Sequence, residues 1–170
     1  ACAFVDQFMT DPNTLDVNLL AEHAHHIIDR MQQGTGMQRL AMRPKYLVSF
    51  SGAHPVNIAI MAVLLSGALR FDEQDRFRAV VASLVHDIGM SRLPPDILHH
   101  DRELADVEVA ELRQHPNYSA ELIQNLLGDS YAWLAKVVNQ EHERAQGQGY
   151  PNGLSINDIE PIAQMIGLLD

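Results

Sequence analysis

Residues 79–89 read AVVASLVHDIG, from Ala79 to Gly89. The run AVVASLV has no polar face, Ser83 being its one hydrophilic side chain, so a helix built from it must be surrounded by other elements on every side. Asp72 stands where it can cap the start of such a helix, and Gly89 where it can end it just past the pair His86 and Asp87. Two ionisable side chains therefore sit at the end of a buried helix. Neighbouring residues on a helix point about 100° apart, so His86 and Asp87 can serve one site only if it lies at that end, between their directions. Asp87 brings two oxygens and can bridge two cations, whereas His86 brings one directional nitrogen.

Outward from this stretch the pattern stays helical. Upstream, Pro55 to Leu69 is the longest apolar run; it suits a buried helix opened by Pro55, and at under 20 residues with Asn57 and Ser66 inside it is too short for a bilayer span. From Leu15 to Gln33, Leu19, Leu20, Ile27, Ile28 and Met31 recur at helical spacing, with Asn13 or Thr14 as cap and Gly34 as stop. Downstream, SRLPPDIL reads as a connector because of Pro94 and Pro95, and helical patterns resume at about Asp106–Gln114, Pro116–Leu127 and Ser130–Arg144. A Gly-rich loop, AQGQGYPNGL, precedes a last helix that Glu160 and Pro161 open and Asp170 closes. No alternation long enough for a paired strand occurs, so the chain is expected to be all-α.

Composition agrees. Hydrophobic residues make up 46% of the 170-residue chain but aromatics only 6%, which calls for a core of Leu, Ile, Val, Ala and Met. The length suits one compact domain. With 12 Lys and Arg against 22 Asp and Glu, the net charge of −10 argues against a nucleic-acid duplex as partner, and any anionic substrate must be drawn in by local cations. The single cysteine, Cys2, precludes an intrachain disulfide and fits a reducing compartment. No basic segment followed by an apolar core stands at the N-terminus, and the expected location is cytoplasmic.

Nine histidines is a high count, and several stand beside acids at the ends of expected helices. Imidazole and carboxylate together suit Fe, Mn or Zn. Besides His86 and Asp87, the candidates are His54, His115, the trio Glu141, His142 and Glu143 near the end of the VV-containing helix, and Asp170.

Six segments in this order, HPVNIA, the helix ending HDIG, LPPDIL, RQHP, EHER and GQGYPNGL, together resemble the HD-GYP family, a branch of the HD superfamily of metal-dependent phosphohydrolases. The resemblance implies a helical bundle of about six to eight helices with a Gly-rich GYP loop, occupying 44–170 and preceded by a helical extension over 1–43. It implies metal ligands at His54, His86, Asp87, His115, His142 and Asp170, with Asp87 bridging. Glu141 stands where the family usually has a second histidine, and a carboxylate can still ligate a hard or borderline cation. Phe50 stands where some relatives carry a glutamate for a third metal, so two divalent ions are expected, Fe or Mn. Met90 replaces a lysine that contacts a substrate phosphate, and Gln146 replaces an aspartate.

The activity implied is hydrolysis of cyclic di-GMP to the linear dinucleotide or GMP by a metal-activated hydroxide, with Asp87 and His86 as the catalytic pair. Tyr150, Gly149 and Pro151 of the GYP loop, with His100, are the expected substrate contacts. Two other readings remain at this point: a catalytically weak receptor or interaction module, suggested by Met90 and Glu141, that binds a cyclic dinucleotide or partner signalling protein, and a phosphohydrolase for another cyclic dinucleotide. His23, His25 and His26 lie outside the resembling region and are read as exposed or as contacts to a partner helix, and His99 as a surface residue.

Overall fold

The computed structural model describes residues 1–34, 36, 50–99 and 101–170. Among these residues the chain has eight α-helices of seven residues or more and no strand, apart from one isolated bridge between Gln146 and Ser155. The all-α expectation holds.

Helices α1 (Cys2–Thr10) and α2 (Val17–Gln32) turn Phe4, Val5, Phe8, Leu20, Ala24 and Ile27 into the same apolar core as the rest of the bundle. The α2 cap is Asp16, whose carboxylate accepts from the backbone N–H of Asn18 and Leu19; Asn13 and Thr14 belong to a separate 3₁₀ turn. Gly34, at φ +68°, stands just past the end of α2, as its sequence position suggested. His25 stacks on Phe77 and His23 tilts against Phe4, and among the described residues neither belongs to a group of donor atoms that could hold an ion.

Helix α3 (Phe50–Ala68) and helix α4 (Glu73–Val85) pack against each other as the central pair. Asp72 caps α4 through Asp75 N–H at 2.8 Å. All seven residues from Ala79 to Val85 are buried, because α2, α3 and later helices cover α4 on every side. Contrary to expectation, Pro55 does not open α3 but lies inside it, more than one turn from the start at Phe50, which carries His54 into the second turn.

Gly89 does not end α4 either. The helix tightens at His86 into a 3₁₀ stretch, His86–Arg92, that runs through Gly89. What requires glycine is proximity: a Cβ there would lie 2.1 Å from the carbonyl oxygen of His115 and 2.4 Å from the Ser119 nitrogen. This lets the HDIG segment press directly onto α7 (His115–Leu127). Between them come α5, a single turn at Pro95–Leu98 opened by Pro95 where the sequence suggested only a connector, and α6 (Asp106–Leu112).

Helix α8 (Ala132–Asn139) follows a 3₁₀ turn at Asp129–Tyr131 and stops earlier than its pattern suggested, so Glu141, His142 and Glu143 lie past it in a turn. Helix α9 (Pro161–Leu169) packs on α3, α4 and α8, ending one residue before Asp170. Burial of Leu84, Ile88, Ile123, Leu134 and Ile166 in this core contributes roughly 1.5–3 kcal/mol for each side chain. No helix among the described residues is long and apolar enough to cross a membrane.

Candidate metal centre

Four chain segments end or begin at one place: the C-terminus of α4, the start of α7, the turn after α8 and the C-terminus of α9. The second turn of α3 adds His54. Local backbone fixes the two buried imidazoles. His86 Nδ1–H donates to the carbonyl of Ser83 at 2.8 Å and His115 Nδ1–H to the carbonyl of Leu112 at 2.8 Å, which leaves Nε2 of each ring facing the site. Ser119, buried on α7, ties the arrangement together: its hydroxyl donates to the His86 carbonyl at 2.7 Å and accepts from Gly89 N–H at 2.9 Å.

Two clusters of donor atoms result. His54, His86 and Asp170 form one, and His115, Glu141 and His142 the other; within each, the donor atoms all lie within 4.8 Å of one another. In the first, His54 Nε2 lies 2.7 Å from Asp170 Oδ1 and His86 Nε2 lies 3.9 Å from the same oxygen. In the second, His115 Nε2 lies 3.6 Å and His142 Nε2 4.0 Å from Glu141 Oε1, and the two imidazole Nε2 atoms are 3.0 Å apart. Asp87 lies between. Its Oδ2 is 3.2 Å from His86 Nε2 and 3.8 Å from His54 Nε2, while its Oδ1 is 3.7 Å from His115 Nε2.

Charge is concentrated here. Burial works against the Asp87 carboxylate, but His86, His115 and His54 outweigh it and hold the acid at about 2. The hydrogen bond from His54 and the nearby His86 imidazole hold Asp170 far below the usual carboxylate range. Burial would lower His86 and His115, yet the surrounding carboxylates raise both, His86 strongly. Burial raises Glu141, while burial and the neighbouring His115 push His142 down to about 4. Nε2 of His86 and both oxygens of Glu141 are buried without a hydrogen-bond partner. A native fold rarely leaves such atoms unsatisfied; a cation at the first cluster would satisfy His86 Nε2, and one at the second would satisfy Glu141.

The GYP loop closes over the second cluster. Tyr150 stacks on His142 with ring centroids 4.7 Å apart at 16°, and meets His115 edge-on at 6.3 Å. Burial and the charge of Glu141 push its hydroxyl up to about 12. Glu143, buried beneath the loop, accepts from Asn152 N–H at 2.6 Å and Leu154 N–H at 2.8 Å. Gly149 crosses the backbone of Glu143 so closely that a Cβ would lie 2.4 Å from Glu143 Cα. Pro151 is partly buried after a cis Tyr150–Pro151 bond.

The structure thus gathers His54, His86, Asp87, His115, Glu141, His142 and Asp170, with Tyr150 at their edge. His100 lies outside the described residues. Sequence reading passed over Ser119 and the tethering role of Glu143: a lone Ser inside a helix carries no signal, and Glu143 looked like a third ligand candidate.

A family model described as HD domain matches residues 15–170. The chain belongs to the HD domain family. Phosphohydrolases with HD domains use divalent metals, and this HD domain carries two clusters that could bind them. It is 28% identical over 152 residues to a cyclic di-GMP phosphodiesterase of Pseudomonas aeruginosa, covering 87% of this chain and 36% of that protein. It is 26% identical over 121 residues to a 3′3′-cGAMP-specific phosphodiesterase of Vibrio cholerae, covering 71% of this chain and 26% of that protein. A solved HDG"Y"P protein from Bdellovibrio bacteriovorus shares the fold with a TM-score of 0.78 at 16% identity, over 99% of this chain and 55% of that one. The chain spans about a third or less of the length of those two curated relatives.

Proposed function

We propose that this HD domain is a metal-dependent phosphodiesterase that hydrolyses a cyclic dinucleotide, cyclic di-GMP first, to the linear dinucleotide or GMP. The observation that carries this reading is Asp87, whose two oxygens face separate histidine-carboxylate clusters. Curated relatives named as cyclic di-GMP and cGAMP phosphodiesterases support it.

Two divalent ions, Fe or Mn, would be held by His54, His86 and Asp170 on one side and by His115, Glu141 and His142 on the other, with Asp87 between them. Ions so bound supply Lewis acidity, which lowers the pKa of water and stabilises charge on phosphoryl oxygens. The protein's own part is to hold the donors. Ser83 and Leu112 carbonyls fix the imidazole tautomers, and Ser119 locks the His86 turn onto α7. Tyr150 covers one face of His142 and shields that side from water. Gly149 and Pro151 shape the loop that presents Tyr150 to substrate. We place the protein in the cytoplasm, where such a messenger would be met.

The test is to load the protein anaerobically with Fe or Mn, incubate it with cyclic di-GMP and separate the products by chromatography. Linear dinucleotide or GMP supports the reading; no product with any divalent metal rejects it. Since cGAMP-specific relatives match at an identity close to that of the cyclic di-GMP enzymes, 3′3′-cGAMP belongs in the same assay. Tight binding without turnover would select the receptor reading that Met90 and Glu141 motivate.

A further inference from the structure

The charges around the site are unevenly committed. Arg144 donates to the backbone carbonyls of Glu141 and Glu143, and Arg92 pairs with Glu121 at 2.8 Å. Arg113 is different. It caps α6, is exposed, and among the described residues no carboxylate pairs with it. Its guanidinium instead lies 5.4 Å from the centroid of the Tyr150 ring, the ring that stacks on His142. A positive charge is therefore held at the rim of the ion clusters, one aromatic ring away, in a protein whose net charge is −10. Contact with an aromatic face restrains a guanidinium without using its N–H donors, which stay available to an anion.

We propose that Arg113 is a specificity-determining residue that binds the phosphodiester group not undergoing hydrolysis. The inference rests on the phosphodiesterase reading. A cyclic dinucleotide has two phosphodiester groups. Ions at the clusters engage the one being cleaved, so the other anion needs its own partner. Met90, in the HDIG turn, brings no charge. The planar fork of Arg113 matches two non-bridging oxygens, and its place beyond Tyr150 sets the second phosphate apart from the reacting one.

Steady-state kinetics of the metal-loaded protein test this with cyclic di-GMP and with bis(p-nitrophenyl) phosphate, a diester that has one phosphate only. For Arg113→Gln, KM for cyclic di-GMP should rise about tenfold, the worth of one charge-assisted contact, with kcat and metal content little changed. The rise for the one-phosphate diester should be several-fold smaller, and Arg113→Lys should recover part of the loss. An unchanged KM, equal losses on both substrates, or loss of bound metal would overturn the assignment. Failure of the unsubstituted protein to turn over cyclic dinucleotides would instead reject the phosphodiesterase reading, before any variant is compared.

Discussion

Oδ1 of Asp87 lies 3.7 Å from Nε2 of His115, although 28 positions separate the two residues in sequence and the other Asp87 oxygen faces its own neighbour His86 at 3.2 Å. This division of one carboxylate between two clusters makes metal stoichiometry a sharp test. Asp87→Ala should lose both ions, while His54→Ala and Glu141→Ala should each retain one. Elemental analysis of anaerobically purified variants reads the outcome; two ions retained by Asp87→Ala would refute the shared position.

Metal uptake should release protons. In the ion-free protein the carboxylates raise His86 and His115 above 6.5, so protons occupy nitrogens that a metal needs. Affinity should rise with pH above 6.5, and calorimetry in buffers of different ionisation enthalpy should detect the released protons. A pH-independent affinity would show those nitrogens to be unprotonated.

The stability of the ion-free protein should fall as pH rises above 6.5. For His86 and His115 the folded pKa is raised, so their contribution is full below 6.5 and lost as pH climbs through the folded value. His142 works in the opposite sense: lowered from 6.5 to about 4, it favours folding above 6.5 and that advantage is lost as pH falls to about 4. Asp87, lowered from 3.8 to about 2, adds a further loss below 3.8. Urea titrations in a chelator from pH 4 to 9 would measure the curve, and bound metal should flatten its alkaline side.

Gly89→Ala should destabilise the fold by about 1–3 kcal/mol, because the new methyl meets backbone atoms of His115 and Ser119 that cannot swing aside. Ser119→Ala removes the buried hydroxyl that accepts from Gly89 N–H and donates to the His86 carbonyl, at a cost of about 1–3 kcal/mol. Both should also weaken metal retention, since each loosens the turn that carries His86 and Asp87. Denaturant titration with parallel metal analysis checks both effects.

Glu143→Gln should loosen the GYP loop while leaving the ion clusters in place. The carboxylate accepts from Asn152 and Leu154 through separate oxygens, and an amide offers only one acceptor oxygen. Amide hydrogen exchange at Asn152 and Leu154 should accelerate with metal content unchanged; unaltered exchange would show the loop to be held by other contacts.

The sequence by itself determined the helical class, since a seven-residue run without a polar face between Ala79 and Val85 allows little but a helix enclosed by others, and local rules fixed the Asp72 cap and the start of α9 at Pro161. It also identified the residue types of the site and their order. Three of its local readings failed for one reason. Pro55 inside α3, Gly89 inside a 3₁₀ stretch and the early end of α8 are set by what packs against them, and propensity carries no information about that. Only the tertiary structure decided that Asp87 divides its oxygens, that Glu141 is buried with both of its oxygens unpartnered, and that Arg113 rests on Tyr150. These are distances between segments far apart in the chain, and they exist only once α4, α7, α8 and α9 have brought their ends to a common point.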